Sequence, residues 1–401
     1  MQMVDTIVVG AGPAGAAAAR TLALAGRETV LADKATFPRD KICGDGLTTL
    51  CLRELEALDF RVGSLPSYRT IDGALVRSPS GRVVDISLPD GPGNFAAVVR
   101  RAEFDQALAE FAVDGGATAR FGSKVVAATP KHDRIEVSFE SGEVVTAKTC
   151  IAADGMWSPM RKLLGLSIEG YRGEWHAFRQ YFVDVAPPAA SDLWVWFEPD
   201  ILPGYMWSFP LGDGAANVGF GILRGSGHAI QDMKTLWPDL LERPQVKAVL
   251  GESARPESPH RAWPIPARID QVPLHGPHTL FVGDAAAACD TLTGEGIGQA
   301  LLTGRAAAQA ILDNPGFDAA AKSYSDAVRL ELFADHKMSH LLGRMMSKEG
   351  VAKAALAAVD INDWTRRNFG RWMFEDYPRA ILATPRRWKR GVLSNPGAQL
   401  T

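Results

Sequence analysis

A glycine-rich turn near the N-terminus constrains the fold of this chain more than any other feature. Residues 5–9 (DTIVV) predict a short buried strand, an Ala-rich helix follows to about Ala25, and residues 28–32 predict a second strand. The turn between the first strand and the helix contains Gly10, Gly12, Pro13, Ala14 and Gly15. Glycines at such a turn permit a tight bend, a close approach to a pyrophosphate and close packing of the helix on the sheet. The sequence therefore predicts a Rossmann-like βαβ unit that binds a dinucleotide at a helix N-terminus.

An acidic residue, Asp33, directly follows the second predicted strand, and Lys34 stands next to it. A carboxylate at this position can accept hydrogen bonds from the ribose hydroxyls of a dinucleotide. We therefore expect both side chains to lie at the cofactor. The glycine turn and the acid do not by themselves separate FAD from NAD.

Later segments favour FAD. A predicted strand that begins at Cys150 runs into an Asp154-Gly155 turn, with Ser158 and Arg161 spaced behind it. A second predicted strand, 279–282, ends in Gly283-Asp284, where a carboxylate can meet the ribityl chain of a flavin. The remaining candidates are Gly294, Gly296 and Ile297, which open a long helix with its first amides free for the cofactor, and Arg101, which begins a helix and can reach toward it.

Together, in this order, these segments resemble the FAD-binding set of the para-hydroxybenzoate-hydroxylase-like flavoproteins. The resemblance covers about residues 1–310 and implies FAD as the cofactor. One departure is Thr291, which stands where many relatives have proline just before the Gly-Glu-Gly helix start.

Two further stretches resemble the geranylgeranyl reductase family within that superfamily. Residues 37–47 (FPRDKICGDGL) contain Cys43 and Gly44, both expected near the flavin. Tyr205, Trp207 and Phe209 match the family's Tyr-x-Trp-x-Phe-Pro pattern. The resemblance implies reduction of isolated double bonds in prenyl chains of archaeal lipids, chlorophyll precursors or menaquinone.

The residues of this pattern also support an apolar site without reference to any family. In a strand, positions 205, 207 and 209 alternate, so three aromatic rings would share one face and could wall a tunnel beside the flavin. The alternative is an ordinary core face of the substrate domain. We take Cys43, Tyr205 and Trp207 as catalytic candidates and Tyr205, Trp207 and Phe209 as substrate contacts. Cys43 could gate the site or donate a proton, with an inert buried thiol as its alternative. His176 is a further substrate-contact candidate, with a hydrogen-bonded structural role as its alternative.

The order of these segments predicts an α/β chain with an interrupted FAD domain. We assign residues 1–65, 98–165 and 272–312 to a Rossmann-like FAD-binding domain, and residues 66–97 and 166–271 to an inserted, mostly antiparallel substrate domain. Residues 313–401 are predicted to form a C-terminal helical region. Within it, residues 362–390 combine basic and aromatic side chains, which suits a membrane interface or a cap over the cavity; we favour the cap.

Composition excludes several other classes of function. The net charge is −3 and no block of like charge is present, so we expect no nucleic-acid partner. The four cysteines have no Cys-x-x-Cys spacing, so neither a disulfide framework nor a metal site is predicted. Without a signal peptide or an apolar run of about 20 residues, we expect a soluble, cytoplasmic protein, with contact to a membrane surface left open.

The leading functional hypothesis is reduction of carbon–carbon double bonds in a prenyl or polyprenyl lipid by hydride transfer from reduced FAD. The electrons would come from NAD(P)H or a ferredoxin-like carrier. The main alternative is an FAD-dependent monooxygenase acting on an aromatic or polyketide-like metabolite, and a third is a non-enzymatic flavin- or lipid-binding protein. Trp194, Trp196 and Glu198 superficially resemble a flavin-dependent halogenase signature, but Glu198 replaces its apolar position, so halogenation is disfavoured.

Overall fold

The structure is a computed structural model that describes residues 3–89, 91–388 and 394–399. Within these residues the strands are β1 (Val4–Val9), β2 (Thr29–Ala32), β3 (Gly46–Thr48), β4 (Arg69–Thr70), β5 (Gly73–Arg77), β6 (Val83–Ser87), β7 (Ala96–Val98), β8 (Thr118–Arg120), β9 (Val125–Pro130), β10 (Ile135–Phe139), β11 (Val144–Ala152), β12 (Trp175–Val183), β13 (Leu193–Trp196), β14 (Tyr205–Gly212), β15 (Ala215–Leu223), β16 (Arg255–Pro256), β17 (Arg261–Ile265), β18 (His275–Gly276) and β19 (Thr279–Phe281).

The α-helices of the same described residues are α1 (Pro13–Leu24), α2 (Thr49–Ala57), α3 (Arg101–Asp114), α4 (Pro159–Leu163), α5 (Pro187–Ser191), α6 (Met233–Glu242), α7 (Pro244–Leu250), α8 (Ile297–Asp313), α9 (Phe317–Val328), α10 (Ala334–Met346), α11 (Glu349–Val359) and α12 (Asp363–Met373). A π-helical turn, Arg329–Phe333, joins α9 to α10.

The first sheet has the order β18-β19-β11-β1-β2-β8, with the β9–β10 hairpin attached to β11. Strand β1 pairs in parallel with β11 and β2, and β11 pairs in parallel with β19. Strand β1 is almost wholly buried and apolar, as expected when helices cover both faces of a parallel sheet. Its carboxyl end leads directly into the glycine-rich turn, so this sheet positions the predicted cofactor loop.

The second sheet has the order β16-β12-β15-β14-β13-β5-β6, and β17 also pairs with β12. Its pairs are antiparallel except β13 with β5. The long strands β12, β14 and β15 are buried on both faces for most of their length. A small third sheet has the order β3-β7-β4. Along the chain, β3 and β4 come just before β5 and β6 of the second sheet, and β7 comes just after them.

The C-terminal region is helical and packs back onto the cofactor-binding part of the chain. The Tyr324 hydroxyl donates to the carbonyl of Phe281 at the end of β19. After α12, the carbonyl of Phe374 accepts a 2.8 Å hydrogen bond from the amide of Thr49 at the start of α2. The α/β fold with an antiparallel second sheet and a helical C-terminal cap is thereby confirmed. The predicted basic and aromatic stretch 362–390 ends at residues 389–390, and the predicted helical region 313–401 ends at residues 400–401. Both of these ends lie outside the described residues.

Among the described residues, no helix combines the length and the apolar character that crossing a bilayer would require.

Candidate functional site

A cavity of about 570 Å³ runs from the glycine-rich turn of the first sheet to strand β14 of the second sheet. This volume is within the usual range for a small-molecule or cofactor site. The residues predicted from sequence that line it are Gly10, Gly12, Pro13, Ala14, Asp33, Lys34, Cys43, Gly44, Arg101, Asp154, Gly155, Tyr205, Trp207, Phe209, Gly283, Asp284, Gly294, Gly296 and Ile297. Gly15 and His176 are the two candidates that do not line it.

Gly15 lies behind the cofactor turn rather than in the cavity. A Cβ atom on Gly15 would come within 1.8 Å of the carbonyl oxygen of Gly10. The missing side chain lets α1 begin directly against the turn, so Gly15 positions the neighbouring residues that do face the cavity.

Two helices begin at this cavity with glycine N-caps. Gly12 precedes the 12-residue α1 and Gly296 precedes the 17-residue α8, and neither N-cap makes a side-chain capping bond. Free amides and the partial positive charge of each helix N-terminus therefore face the cavity, which suits the phosphates of a dinucleotide. Asp33 shapes the first turn, because its carboxylate accepts 2.8 Å hydrogen bonds from the amides of Ala11 and Ala35.

Arg101 is held against the cavity by a buried acid. Its guanidinium donates to both carboxylate oxygens of Asp105, one helical turn along α3, at 2.8 and 2.9 Å. Arg39 reaches the same carboxylate at 2.9 Å. The neighbouring Cys43 is half-buried, and desolvation of its thiol raises the pKa although Arg101 opposes that shift. Cys43 is therefore a neutral thiol at neutral pH.

Three aromatic rings on one face of β14 form a wall of the cavity, which we call the aromatic wall: Tyr205, Trp207 and Phe209. The ring centroids of Tyr205 and Trp207 are 6.0 Å apart, and those of Trp207 and Phe209 are 6.2 Å apart. Gly219 of β15 lies opposite Trp207, and a Cβ atom there would come within 2.3 Å of the indole. The missing side chain of Gly219 thus provides the space that the Trp207 ring occupies.

A buried hydrogen-bond network joins the aromatic wall to the Cys43 segment. The indole N–H of Trp207 donates to Asn217 Oδ1 at 3.1 Å. The Asn217 amide donates at 2.8 Å to both the Cys43 carbonyl and Asp45 Oδ2, and the Tyr181 hydroxyl donates to the same oxygen of Asp45. Asp45 is fully buried at φ 67°. Asn217, Asp45 and Tyr181 were not among the site residues predicted from the sequence.

His176 lies on the face of β12 that is turned away from the cavity. Its neighbours Trp175 and Ala177 line the cavity, whereas His176 does not, because successive side chains of a strand point to opposite faces. Its ring lies 6.4 Å from that of Phe178, and burial lowers its pKa. His176, expected at the substrate, therefore does not line the cavity, whereas Trp175, which was not among the predicted residues, lines it with its ring 6.4 Å from that of Tyr205.

Lys41 is a cavity-lining cation that the sequence analysis quoted without assigning a role. Its ammonium lies 4.2 Å from the Trp263 ring centroid and 3.9 Å from Asp284 Oδ2. Burial lowers the pKa of Lys41, while Asp284 acts in the opposite direction.

The loop before α8 carries a carboxyl group into the cavity. Glu295 lines the cavity between Gly294 and Gly296. Burial, followed by the nearby carboxyl of Glu375, raises the pKa of Glu295 to about 8. Glu295 thus holds a proton at neutral pH, which is unusual for a glutamate and typical of functional sites.

Comparison with known proteins shows a similarity over most of the chain. Residues 3–301 match the family described as an FAD binding domain. The chain is 37% identical to the menaquinone reductase of Mycolicibacterium smegmatis over 326 residues, 76% of this chain and 75% of that protein. It is 31% identical to digeranylgeranylglycerophospholipid reductase 1 of Methanopyrus kandleri over 324 residues, 77% of this chain and 80% of that protein.

A solved structure also resembles this one over nearly its whole length. It is the geranylgeranyl bacteriochlorophyll reductase-like protein from Thermoplasma acidophilum, with a TM-score of 0.81. The match covers 97% of this chain and 100% of that one at 22% sequence identity, so it supports the fold.

Proposed function

The chain belongs to the geranylgeranyl reductase family of FAD-dependent oxidoreductases, and we propose that it saturates carbon–carbon double bonds in the prenyl chain of a lipid substrate. The observation that carries this proposal is that the aromatic wall of Tyr205, Trp207 and Phe209 shares one cavity with the cofactor turns at Gly12 and Gly296. An apolar chain in this cavity would lie beside the cofactor. The relatives named as menaquinone and digeranylgeranylglycerophospholipid reductases support a prenyl substrate.

The residues of the cavity fit FAD. The uncapped N-termini of α1 and α8 would bind its phosphates, and Asp33 would meet the ribose beside Ala11. Asp284 lines the middle of the cavity, where the ribityl chain would pass. When bound and reduced, FAD supplies the hydride for the alkene.

The protein chain would position the alkene and exclude water from the cavity. An isolated alkene has no group that stabilises negative charge, so proton transfer must lead or accompany hydride transfer. The faces of aromatic rings stabilise the positive charge that develops on carbon, whereas water would react with that carbon. The aromatic wall, of which Trp207 is buried and Tyr205 and Phe209 are partly buried, supplies both requirements.

Electrons must reach the cofactor from outside the chain. A further closely spaced glycine pair, Gly219 and Gly221, lies within β15, which pairs with β14 and β12, so it is not a nucleotide-binding turn. We therefore assign the reduction of FAD to transiently bound NAD(P)H or to a ferredoxin-like carrier.

An anaerobic single-turnover experiment tests this function. The purified flavoprotein is photoreduced without oxygen and mixed with menaquinone or geranylgeranyl diphosphate, and flavin reoxidation is followed by absorbance. We expect reoxidation together with a product that gains two hydrogens per double bond by mass spectrometry. Trp207→Ala should slow this step, whereas Trp364→Ala, which removes an exposed indole on α12, should not.

Two results would contradict the proposal. If reduced flavin persists with every prenyl lipid but reacts productively when oxygen and an aromatic substrate are added, the protein is a monooxygenase. If no substrate class turns over while flavin stays bound, the protein is a flavin- or lipid-binding protein without catalysis.

A further inference from the structure

We propose that the carboxyl group of Glu295 is the catalytic acid that protonates the alkene. This inference rests on the proposed reductase function and assigns the proton donor, which the Tyr-x-Trp-x-Phe-Pro pattern leaves open.

The loop that carries Glu295 is rigidly held. The amide and the hydroxyl of Thr293 both donate to Asp290 Oδ1, at 2.8 and 2.9 Å. The Tyr205 hydroxyl donates to the Thr293 carbonyl. The amide of Asp290 donates to the Glu295 carbonyl at 2.8 Å. These bonds hold the backbone on both sides of Glu295, and Glu295 lines the cavity.

The Glu295 carboxyl lies next to the aromatic wall. A Cβ atom on Gly46 would be 3.2 Å from Phe209 Cε2 and 3.9 Å from Glu295 Oε1. The acid and the ring thus flank the same glycine. A prenyl chain lying along the aromatic wall would bring its double bond to this acid.

The carboxyl of Glu295 has no stabilising partner among the residues that the structure describes. Other acids of the cavity are bonded: Asp33 accepts two backbone amides, and Asp154 accepts the Ser158 hydroxyl and the Met160 amide at 2.7 Å. No donor or cation is within bonding distance of the Glu295 oxygens in the described part of the chain. A charged carboxylate there would lack compensation, so the site favours the protonated acid.

The C-terminal cap places a second acid behind Glu295. Glu375, at φ 60°, accepts hydrogen bonds from Thr48 Oγ1 at 2.8 Å and Gln299 Nε2 at 2.7 Å. Arg379 lies 3.9 Å from Glu375 and 3.8 Å from Asp290. The carboxyl groups of Glu375 and Asp290 therefore share one guanidinium, and their negative charges add to the effect of burial, which is the largest cause of the raised pKa of Glu295.

The other titratable groups that face Glu295 are neutral at neutral pH. They are Tyr205 and the thiols of Cys43, Cys51 and Cys289, and burial raises the pKa of each. Tyr205 commits its proton to Thr293, and a buried thiol is a weaker acid than Glu295. The geometry thus favours Glu295 over Tyr205 and Cys43 as the proton donor.

The proposed reduction of the alkene is balanced in protons and electrons. The π electron pair of the alkene takes the proton from a Glu295 oxygen and forms one C–H bond. FAD, when bound and reduced, would supply the hydride for the other C–H bond and would thereby be oxidised. Glu295 is left as a carboxylate, which a solvent proton restores before the next turnover.

An infrared titration of the flavoprotein tests the acid without relying on turnover. The difference spectrum between wild type and Glu295→Gln should contain the C=O stretch of a protonated carboxyl at pH 7, and this band should titrate away near pH 8. Glu375→Gln should move the midpoint to lower pH because it removes a negative charge, and Arg379→Met should move it to higher pH. A band absent at pH 7, or a midpoint unmoved by both variants, would overturn the proposal.

Single-turnover rates distinguish a failure of the Glu295 assignment from a failure of the proposed function. In single turnover, Glu295→Gln should retain bound flavin but transfer hydrogen about 100-fold more slowly at pH 7, since general acids typically contribute this much or more. The wild-type rate should fall as the pH rises through 8. If wild type reduces prenyl lipids and Glu295→Gln does so equally fast, only the acid assignment fails. If wild type reduces none while the infrared band is present, the proposed function fails.

Discussion

The Tyr205 hydroxyl donates a hydrogen bond to the carbonyl of Thr293, so the aromatic wall is tied directly to the loop that begins α8. The two residues are 88 positions apart: Tyr205 begins β14, whereas Thr293 lies in the loop before α8. This contact ties the aromatic wall, the proposed substrate surface, to the loop that precedes the N-terminus of α8. Positioning of this kind is the main contribution a protein makes to a cofactor-dependent reaction.

Tyr205→Phe should remove this tie while keeping the aromatic ring. The Thr293 carbonyl would lose its partner at a partly buried site, which should cost about 1 kcal/mol in the free energy of unfolding. Urea unfolding of the flavoprotein measures this loss. Tyr68→Phe is the matched control, because the Tyr68 hydroxyl only accepts a long 3.3 Å bond from Asn94 and should cost less. Equal midpoints for Tyr205→Phe and wild type would contradict the structural role.

Gly12→Ala should weaken FAD binding without unfolding the protein. A Cβ atom on Gly12 meets only the end of Arg39 at 3.4 Å, but it would occupy the space that a pyrophosphate approaches. We expect an FAD affinity at least about 10-fold lower, which corresponds to about 1.4 kcal/mol. Fluorescence titration of the apoprotein with FAD measures this change.

Gly10→Ala provides the contrast to Gly12→Ala. Gly10 has φ 104°, and a Cβ atom would lie 2.2 Å from the carbonyl oxygen of Ala153. The positions of the added Cβ atom and of the Ala153 carbonyl oxygen are both set by the backbone, so neither can move away. This variant should therefore fail to fold. A well-folded Gly10→Ala variant with normal FAD affinity would contradict the geometry of the turn.

Glu198→Gln should destabilise the substrate domain. Glu198 is buried and accepts hydrogen bonds from Arg77 at 3.1 Å, Arg243 at 3.0 Å and Gln245 at 3.0 Å. Removing one partner of a buried ion pair typically costs about 3–5 kcal/mol. The midpoint of urea unfolding should therefore fall clearly, whereas Glu252→Gln, at an exposed position after α7, should leave it unchanged. An unchanged midpoint for Glu198→Gln would mean that the two arginines find other partners.

The cofactor half of the site was predictable because its signals are local. The strand, the glycine turn and the helix predicted around Gly12 occur in the structure as β1 and α1, with α1 ending at Leu24 rather than at Ala25. Backbone conformation and helix N-termini depend on neighbours in sequence, so a short pattern contains most of the information. The alternation of Tyr205 and Trp207 along a strand is local in the same sense.

The missed residues act through contacts between distant segments. Glu375 approaches Glu295 only because the chain after α12 folds back onto α2 and α8, and no local pattern indicates that return. Asp45 meets Asn217 across two sheets. The position of His176 was wrong for a different reason. When a strand such as β12 has apolar side chains on both faces, its sequence does not indicate whether the odd-numbered or the even-numbered residues face the cavity.

Glu295→Gln should stabilise the protein more at high pH than at low pH. Folding raises the pKa of Glu295 from 4.5 to about 8, so between these values the folded state binds one proton more than the unfolded state. The free energy of unfolding therefore falls as the pH rises through this window, because the unfolded state can ionise freely. Glutamine carries no such charge and removes this pH dependence.

Thermal unfolding at pH 5 and pH 8 measures the effect. We expect the melting temperature of Glu295→Gln to exceed that of wild type by about 2 °C or more at pH 8, and by much less at pH 5. Glu252→Gln, with its exposed side chain, should match wild type at both pH values. A Glu295→Gln difference that stays constant between the two pH values would mean that folding does not hold a proton on this carboxyl, because only a group with different proton occupancy in the two states changes stability with pH.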